Sequence, residues 1–257
     1  MQLFTAYNIS YLLSQALGVF AVYKLMKAFF ENRHVRKITE VIFYIAYYFI
    51  ASSVYLFINI PIVNFIVTLI SYFILTFLYS SSVKKKIFVS LVVFVFGICT
   101  EMLVVISTGY IHFPISEVNE YNSIFGIVTL NVLFFIVSMI ANGFKNIKND
   151  NVMPNSFWVV LLIVPISSLF VLAMFFQSKE LSDFEISFAV ALILIMNFTV
   201  FFLFDRIAKL YQEKQESIFI KQQNKYYVNQ LNVTENLYNE SKELRHNIKN
   251  HLVTILS

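Results

Sequence analysis

The chain has 257 residues, of which 58% are hydrophobic and 13% are charged. With a mean hydropathy of +0.71, it is too apolar to be an ordinary soluble domain, in which about a quarter of the residues are charged. The net charge of +4 does not indicate nucleic-acid binding, because Lys and Arg lie mainly between apolar runs and after Phe204. The composition therefore predicts a membrane protein that contacts lipid and binds no nucleic acid.

Seven apolar runs are long enough for helices that cross about 30 Å of hydrocarbon. Their approximate bounds are 3–30, 41–58, 62–80, 87–109, 124–141, 156–176 and 186–204. The first basic residue is Lys24, so the N-terminus lacks the positive region of a cleavable signal peptide and we expect the first run to remain as an anchor. The fold class predicted is all-α, with a transmembrane sensor domain over residues 1–204.

The Lys and Arg residues alternate between the connecting loops. They follow the first, third, fifth and seventh runs, as Arg33, Arg36 and Lys37; Lys84, Lys85 and Lys86; Lys145 and Lys148; Arg206 and Lys209. The opposite set has none before the first run, none in 59–61 or 110–121, and only Lys179 in 177–185. Because cytoplasmic loops carry the excess of Lys and Arg, we expect the N-terminus outside and the C-terminus in the cytoplasm.

Glu101 is the only acidic residue near the middle of a predicted span. An ionisable group at that depth is costly and points to a role in the response to a ligand. The commoner use of such residues is an interhelical hydrogen bond, and both interpretations stay open. For Asn131, Asn197, Thr68 and Gln15 we favour the structural interpretation.

The outer loops are too short for a folded extracellular domain, so a ligand must bind the loops or a cavity among the helices. A small peptide fits best. The longest outer loop, 110–121, contains Tyr110, His112, Phe113, Glu117 and Glu120. These residues could meet an apolar ligand that carries a positive group, or they could form an aromatic belt at the membrane interface beside solvated acids.

After Phe204 the sequence turns polar and contains no Pro or Gly, which predicts one continuous helix. Leu210, Ile218, Val228 and Leu231 give an imperfect heptad interrupted by Lys214 and Lys221, and we interpret residues 205–240 as a signalling coiled coil. From there on, one apolar stripe lies within about 80° of arc at 100° per residue. It consists of Leu237, Leu244, Ile248, Leu252 and Ile255. His246 and Asn250 project from the opposite, exposed face.

The segment around His246 reads Glu-Leu-Arg-His-Asn-Ile-Lys-Asn-His-Leu over residues 243–252. It resembles the H-box of bacterial sensor histidine kinases. Leu-Arg-His followed by Ile-Lys-Asn-His-Leu is more narrowly similar to kinases with a GHKL-type ATPase domain, among them peptide-pheromone receptors of the accessory gene regulator type. The multi-helix membrane sensor before the H-box has the architecture of that family. The resemblance covers only some ten residues of the tail.

The resemblance implies that His246 is the phospho-acceptor, which attacks the γ-phosphate of ATP held with Mg²⁺ by a C-terminal domain. The phosphoryl group would then pass to a response regulator. Asn250 matches the Thr or Asn that positions water for dephosphorylation in related kinases. Asn247 departs from the common Asp or Glu, and an amide can orient the imidazole but cannot take its proton. Residues 241–257 would begin the histidine-phosphotransfer helix of a homodimer in a bacterial cell membrane.

The chain lacks the ATP-binding part of such a kinase, and other functions remain open. The chain stops within the H-box helix and has no Gly-rich nucleotide-binding motif, so we expect a piece of a longer kinase that is inactive alone and binds no cofactor.

His246 could instead be a plain surface histidine, as His251 is interpreted to be. A transporter or permease with a partner-binding tail would show internal repeats and more buried charges. A membrane peptidase would need a histidine near Cys99, the single cysteine, which we interpret as a packing residue.

No metal site is predicted from the sequence. His34 and His112 are loop residues without partners at ligand spacing, and a single cysteine allows neither a disulfide within the chain nor a cysteine metal cluster.

Overall fold

The computed structural model describes residues 5–108, 123–143, 155–177 and 182–256, without the side chains of 155–160, 176–177, 183 and 249–256. This part of the chain is helical. Its helices are α1 Ala6–Phe29, α2 Lys37–Ser53, α3 Pro61–Thr76, α4 Val83–Ser107, α5 Ile124–Ala141, α6 Asn155–Gln177 and α7 Asp183–Leu256. The described ranges contain no strand, and their one isolated β-bridge joins Arg33 to Tyr79. The all-α prediction is therefore confirmed for these residues.

Each of the seven predicted runs overlaps one helix, although α3 ends before its run does and the seventh run is only the first part of α7. Five helical segments in the described ranges are long and apolar enough to cross a membrane: Ala6–Phe29, Lys37–Ile58, Val83–Ser107, Ile124–Ala141 and the apolar part of Phe184–Ile248. Two shorter apolar helices cover Pro61–Thr76 and Leu161–Phe175. Large hydrophobic side chains are exposed on the outer faces of the helices, for example Leu13, Phe49 and Phe125. Exposed apolar faces on long helices are typical of a membrane protein, in which lipid replaces water.

Short polar residues mark several helix starts. The side-chain oxygens of Thr5, Ser82 and Ser123 accept hydrogen bonds from the backbone N–H of Asn8, Lys85 and Gly126, respectively. These are N-caps, which satisfy donors that the first turn leaves without a partner. At α7, Ser182 and Glu185 form a reciprocal capping box, with the Ser182 N–H and Oγ each 2.8 Å from Glu185 Oε2.

The helix α2 ends in a π-helical segment, Val54–Ile58. It closes at Asn59, whose φ of 51° lies in the left-handed region, and the Asn59 N–H donates to the Val54 carbonyl at 3.0 Å. Asparagine tolerates this conformation better than most residues. Helix α3 then begins at Pro61. The N–H of the first helical residue has no partner within the helix, so the missing N–H of proline costs nothing there.

The loops after α1 and α3 meet at one end of the helices. The His34 N–H donates to the Leu78 carbonyl at 2.8 Å, and the Ser80 N–H donates to the Asn32 carbonyl at 3.1 Å. This pairing explains why α3 ends at Thr76, before the predicted end of the apolar run at residue 80. Arg33 and Arg36 lie in the first loop, and Lys84, Lys85 and Lys86 follow the second loop in the first turn of α4, so two basic segments that the sequence assigns to the same side lie at the same end.

The chain divides into two compact units, 1–208 and 209–257. In the first, α4 is the most deeply buried of the five spanning candidates, and Val89, Val92, Val95 and Cys99 on it are fully buried. In the second unit the structure describes the remainder of α7, whose side chains are largely exposed as far as Ile248. The predicted boundaries at 204, 240 and 241 stay predictions.

Candidate functional site

A cavity of about 190 Å³ lies within the first unit. Helices α1 to α5 and the π-helical segment all contribute to it. Its polar lining residues are Tyr11, Gln15, Tyr47, Tyr55, Asn64, Thr68, Tyr72, Thr100, Glu101 and Asn131. The remaining lining is apolar, and a mostly apolar hollow with a few polar groups is the usual form of a small-molecule site.

The cavity lies towards one end of the unit. Tyr11 is near the start of α1, Tyr55 is in the segment that ends α2, Asn64 is in the first turn of α3 and Glu101 is in the last two turns of α4. Since successive helices run in opposite directions, these positions share the end away from the bridge between Arg33 and Tyr79. This end is the one that the distribution of Lys and Arg assigns to the outside.

Tyrosine rings form much of the wall. The rings of Tyr11 and Tyr55 stack with centroids 4.1 Å apart, and the hydroxyls of Tyr7 and Tyr55 are 2.6 Å apart. Tyr47 and Tyr72 have ring centroids 5.7 Å apart. None of these tyrosines was singled out from the sequence, where the only signal was the abundance of tyrosine, 15 residues in all. Their grouping depends on helix packing.

Glu101 lines this cavity and is half-buried. Its neighbour Thr100 is satisfied locally, because the hydroxyl donates to the carbonyls of Phe96 and Gly97. Among the described residues, the Glu101 carboxylate has no hydrogen-bond or salt-bridge partner. Residue 101 lies six positions before the end of α4, about 9 Å along the helix axis, so it is midway between the middle of the helix and its end.

A buried carboxylate, that of Glu40, was missed by the sequence analysis. Glu40 Oε2 lies 2.8 Å from Arg33 Nε, and Oε1 accepts a hydrogen bond of 2.8 Å from the Tyr79 hydroxyl. The hydroxyls of Tyr79 and Tyr44 are in turn 3.1 Å apart. Glu40 is therefore a fully partnered structural charge that fixes the start of α2 to the loops after α1 and α3.

Two asparagines link helices, which confirms the structural interpretation that we favoured for them. Asn131 Nδ2 donates to Ser14 Oγ at 3.2 Å and to the Ile127 carbonyl at 3.1 Å, joining α5 to α1. Asn197 Nδ2 donates to Ser168 Oγ at 2.9 Å, joining α7 to α6. Thr68 and Gln15 line the cavity, as Asn131 also does.

The helix α4 lies between the cavity and the membrane part of α7. Phe94, Gly97 and Glu101 line the cavity. Phe96, on another face of α4, stacks on Phe198 of α7 with centroids 4.7 Å apart. Phe201 of α7 contacts the rings of Phe29, Phe88 and Phe96 at centroid distances of 5.6, 5.8 and 5.6 Å.

His246 lies on α7, which runs without a break for 74 residues. Its side chain is exposed, as is that of Asn247. The neighbouring stripe residues Leu244 and Ile248 are 64% and 51% exposed, so in the single chain the stripe has an open face. Asn250 belongs to the helix, but its side chain lies outside the description.

The remaining predicted ligand residues, Tyr110, His112, Phe113, Glu117 and Glu120, lie outside the described residues. Among those described, no group of three or more His, Cys, Asp or Glu side chains could hold a metal ion. Comparison of the chain with protein-family models, with curated proteins and with solved structures found no match.

Proposed function

We propose that this chain is the membrane receptor part of a two-component sensor histidine kinase. An extracellular signal, a quorum-sensing peptide, binds the membrane unit and controls ATP-dependent phosphorylation of His246, from which the phosphoryl group passes to a response regulator. One observation carries the proposal. The helix α7 joins the last apolar run to the H-box-like segment without a break, from Asp183 to Leu256.

The surroundings of His246 suit the chemistry. A neutral imidazole is a good nucleophile near neutral pH, and an exposed side chain on a helix can be reached by a separate ATP-binding domain. Leu244 and Ile248 expose apolar surface on the other face. A second copy of the same helix would cover this surface, which supports a homodimer.

A seven-span topology with the C-terminus in the cytoplasm is part of the proposal. It is supported by the alternation of Lys and Arg along the chain, and by the hydrogen bonds that join the loops after α1 and α3, beside which Arg33, Arg36 and Lys84 lie. In this topology the cavity beside Glu101 lies towards the outer end of the membrane unit and His246 is in the cytoplasm. The protein would lie in a bacterial cell membrane.

Ligand binding would reach α7 through α4. The cavity is lined by one face of α4, and another face carries Phe96, which stacks on Phe198. A ligand that binds one arrangement of α4 more tightly shifts the population towards it. The shift would rotate or slide α7, and the phosphotransfer helix would follow because it is the same helix.

The test uses the full-length protein that carries this chain, in membranes with γ-labelled ATP and Mg²⁺. We expect acid-labile phosphate on the wild type and none on His246→Gln. His251→Gln, a matched change five residues further along the same helix, should leave labelling unchanged. Equal labelling of His246→Gln and wild type would move the acceptor elsewhere and overturn the proposal.

A further inference from the structure

We propose that the cavity beside Glu101 binds the positively charged group of a ligand, a primary ammonium or a guanidinium attached to an apolar body. The inference rests on the proposed receptor function for its physiological meaning and names the chemical class of ligand. The binding itself is a property of the membrane unit and can be measured without ATP.

Two carboxylates among the described residues of the first unit, those of Glu40 and Glu101, differ in whether they have a partner. Both oxygens of Glu40 are occupied, by Arg33 and by the Tyr79 hydroxyl. Glu101 has no such partner among the described residues and borders empty volume. A carboxylate at membrane depth loses hydration without gaining a counter-ion, which is costly. A cation that enters the cavity would supply the missing partner.

The lining of the cavity favours a cation over an anion or a neutral sugar. Within the part of the chain that the structure describes, no Lys, Arg or His lines it, and Glu101 is its only acidic residue. The rings of Tyr11, Tyr55 and Tyr72 also line it, and aromatic faces attract cations. The apolar surroundings strengthen the attraction between the two charges.

The volume sets the size of the bound group. An apolar cavity of about 150 Å³ holds a benzene molecule, so about 190 Å³ holds one side chain and not a whole peptide. We infer that a single basic or amino-terminal group of a larger ligand enters, while the rest of the ligand remains outside. A small aromatic amine therefore serves as the probe.

The experiment exploits the contrast between the two carboxylates. The complete 257-residue chain in lipid nanodiscs is treated with dicyclohexylcarbodiimide, which adds to a membrane-embedded carboxyl group and rearranges to a stable N-acylurea. Adducts are assigned by mass spectrometry of peptides. We expect labelling at Glu101 and little at Glu40, whose oxygens are both occupied. The Glu101→Gln variant lacks the reactive carboxyl group and gives the background level of labelling at this position.

The probe is phenethylamine, and 2-phenylethanol is the matched compound without the charge. At ten times its dissociation constant, the amine leaves about one-tenth of the sites free, so labelling of Glu101 should fall about tenfold. The alcohol lacks the charge-assisted hydrogen bond and should bind about tenfold more weakly, which lowers labelling by no more than about twofold. The amine should also raise the unfolding temperature of the wild type and not that of Glu101→Gln.

Three results would overturn the inference: equal protection by the amine and the alcohol, no protection by either, or no labelling of Glu101 in the free protein. Each could occur while the full-length protein still phosphorylates His246, in which case the receptor kinase stands and only the cationic site fails. If the amine protected Glu101 but His246 were not phosphorylated, the cationic site would stand and the receptor kinase would fail.

Discussion

The rings of Phe96 and Phe198 stack with centroids 4.7 Å apart and join the helix that lines the cavity to the helix that carries His246. Phe96 also contacts Phe201 and is fully buried. The contact lies entirely within the first unit. It is therefore a place where a change near the cavity can reach α7.

Replacing Phe96 with alanine should destabilise the first unit. The change removes ring contacts with both Phe198 and Phe201 and leaves a hole in a close-packed interior. The free energy of unfolding should fall by about 3–5 kcal/mol. Phe170→Ala is the matched control, because Phe170 is 68% exposed on α6 and its ring has little protein packing to lose. Thermal unfolding of the two variants in the same detergent measures the difference, and equal unfolding temperatures would contradict the packing described here.

Gly18 and Gly97 give a second matched pair. A Cβ atom on Gly18 would collide with Asn131 Oδ1, whereas one on Gly97 meets nothing within 4 Å. Asn131 is held by Ser14 and by the Ile127 carbonyl, so it cannot move aside freely. We expect Gly18→Ala to cost about 1–3 kcal/mol by forcing α1 and α5 apart.

Gly97→Ala should be neutral or stabilising by up to about 1 kcal/mol, because alanine favours the helix and the cavity has room for the methyl group. Urea or thermal unfolding of both variants gives the sign. If Gly97→Ala were less stable than Gly18→Ala, the close approach of Gly18 to Asn131 would not be the reason why residue 18 must be glycine.

Arg33 should be needed for stability because of its contact with Glu40. In Arg33→Ala, a carboxylate that is only 2% exposed keeps the Tyr79 hydroxyl and loses its cation. Leaving a buried acceptor short of a partner costs about 1–3 kcal/mol. The Glu40→Gln, Arg33→Ala double variant should recover part of this loss, because a neutral amide needs no counter-ion.

The control for Arg33 is Arg36→Ala, since Arg36 is exposed and caps the start of α2 without a side-chain hydrogen bond. Its removal should change the free energy of unfolding by less than about 0.5 kcal/mol. If Arg33→Ala and Arg36→Ala were equally stable, the ion pair between Arg33 and Glu40 would make no measurable contribution to the free energy of unfolding, as is the case for many surface ion pairs.

The elements of this protein were predictable because their causes are local. A long apolar run must satisfy its own backbone hydrogen bonds inside a bilayer, which dictates a helix. Ser82 and Ser123 mark helix starts through contacts only three residues long. The absence of Pro and Gly after Phe204 predicted the unbroken tail of α7, and the structure confirms that continuity. The role of His246 came from a ten-residue resemblance and stays a prediction.

The site was decided by tertiary packing. The sequence marked Glu101 as unusual, yet only the cavity distinguishes a carboxylate that borders empty volume from one that is bonded. Glu40 shows the opposite case: from the sequence it is an ordinary acid near a basic loop, and Tyr79, 39 residues away, makes it a buried structural charge. Apolar patterning determines which residues avoid water. It does not determine which side chains meet, because that depends on the order and rotation of helices whose apolar faces are nearly interchangeable.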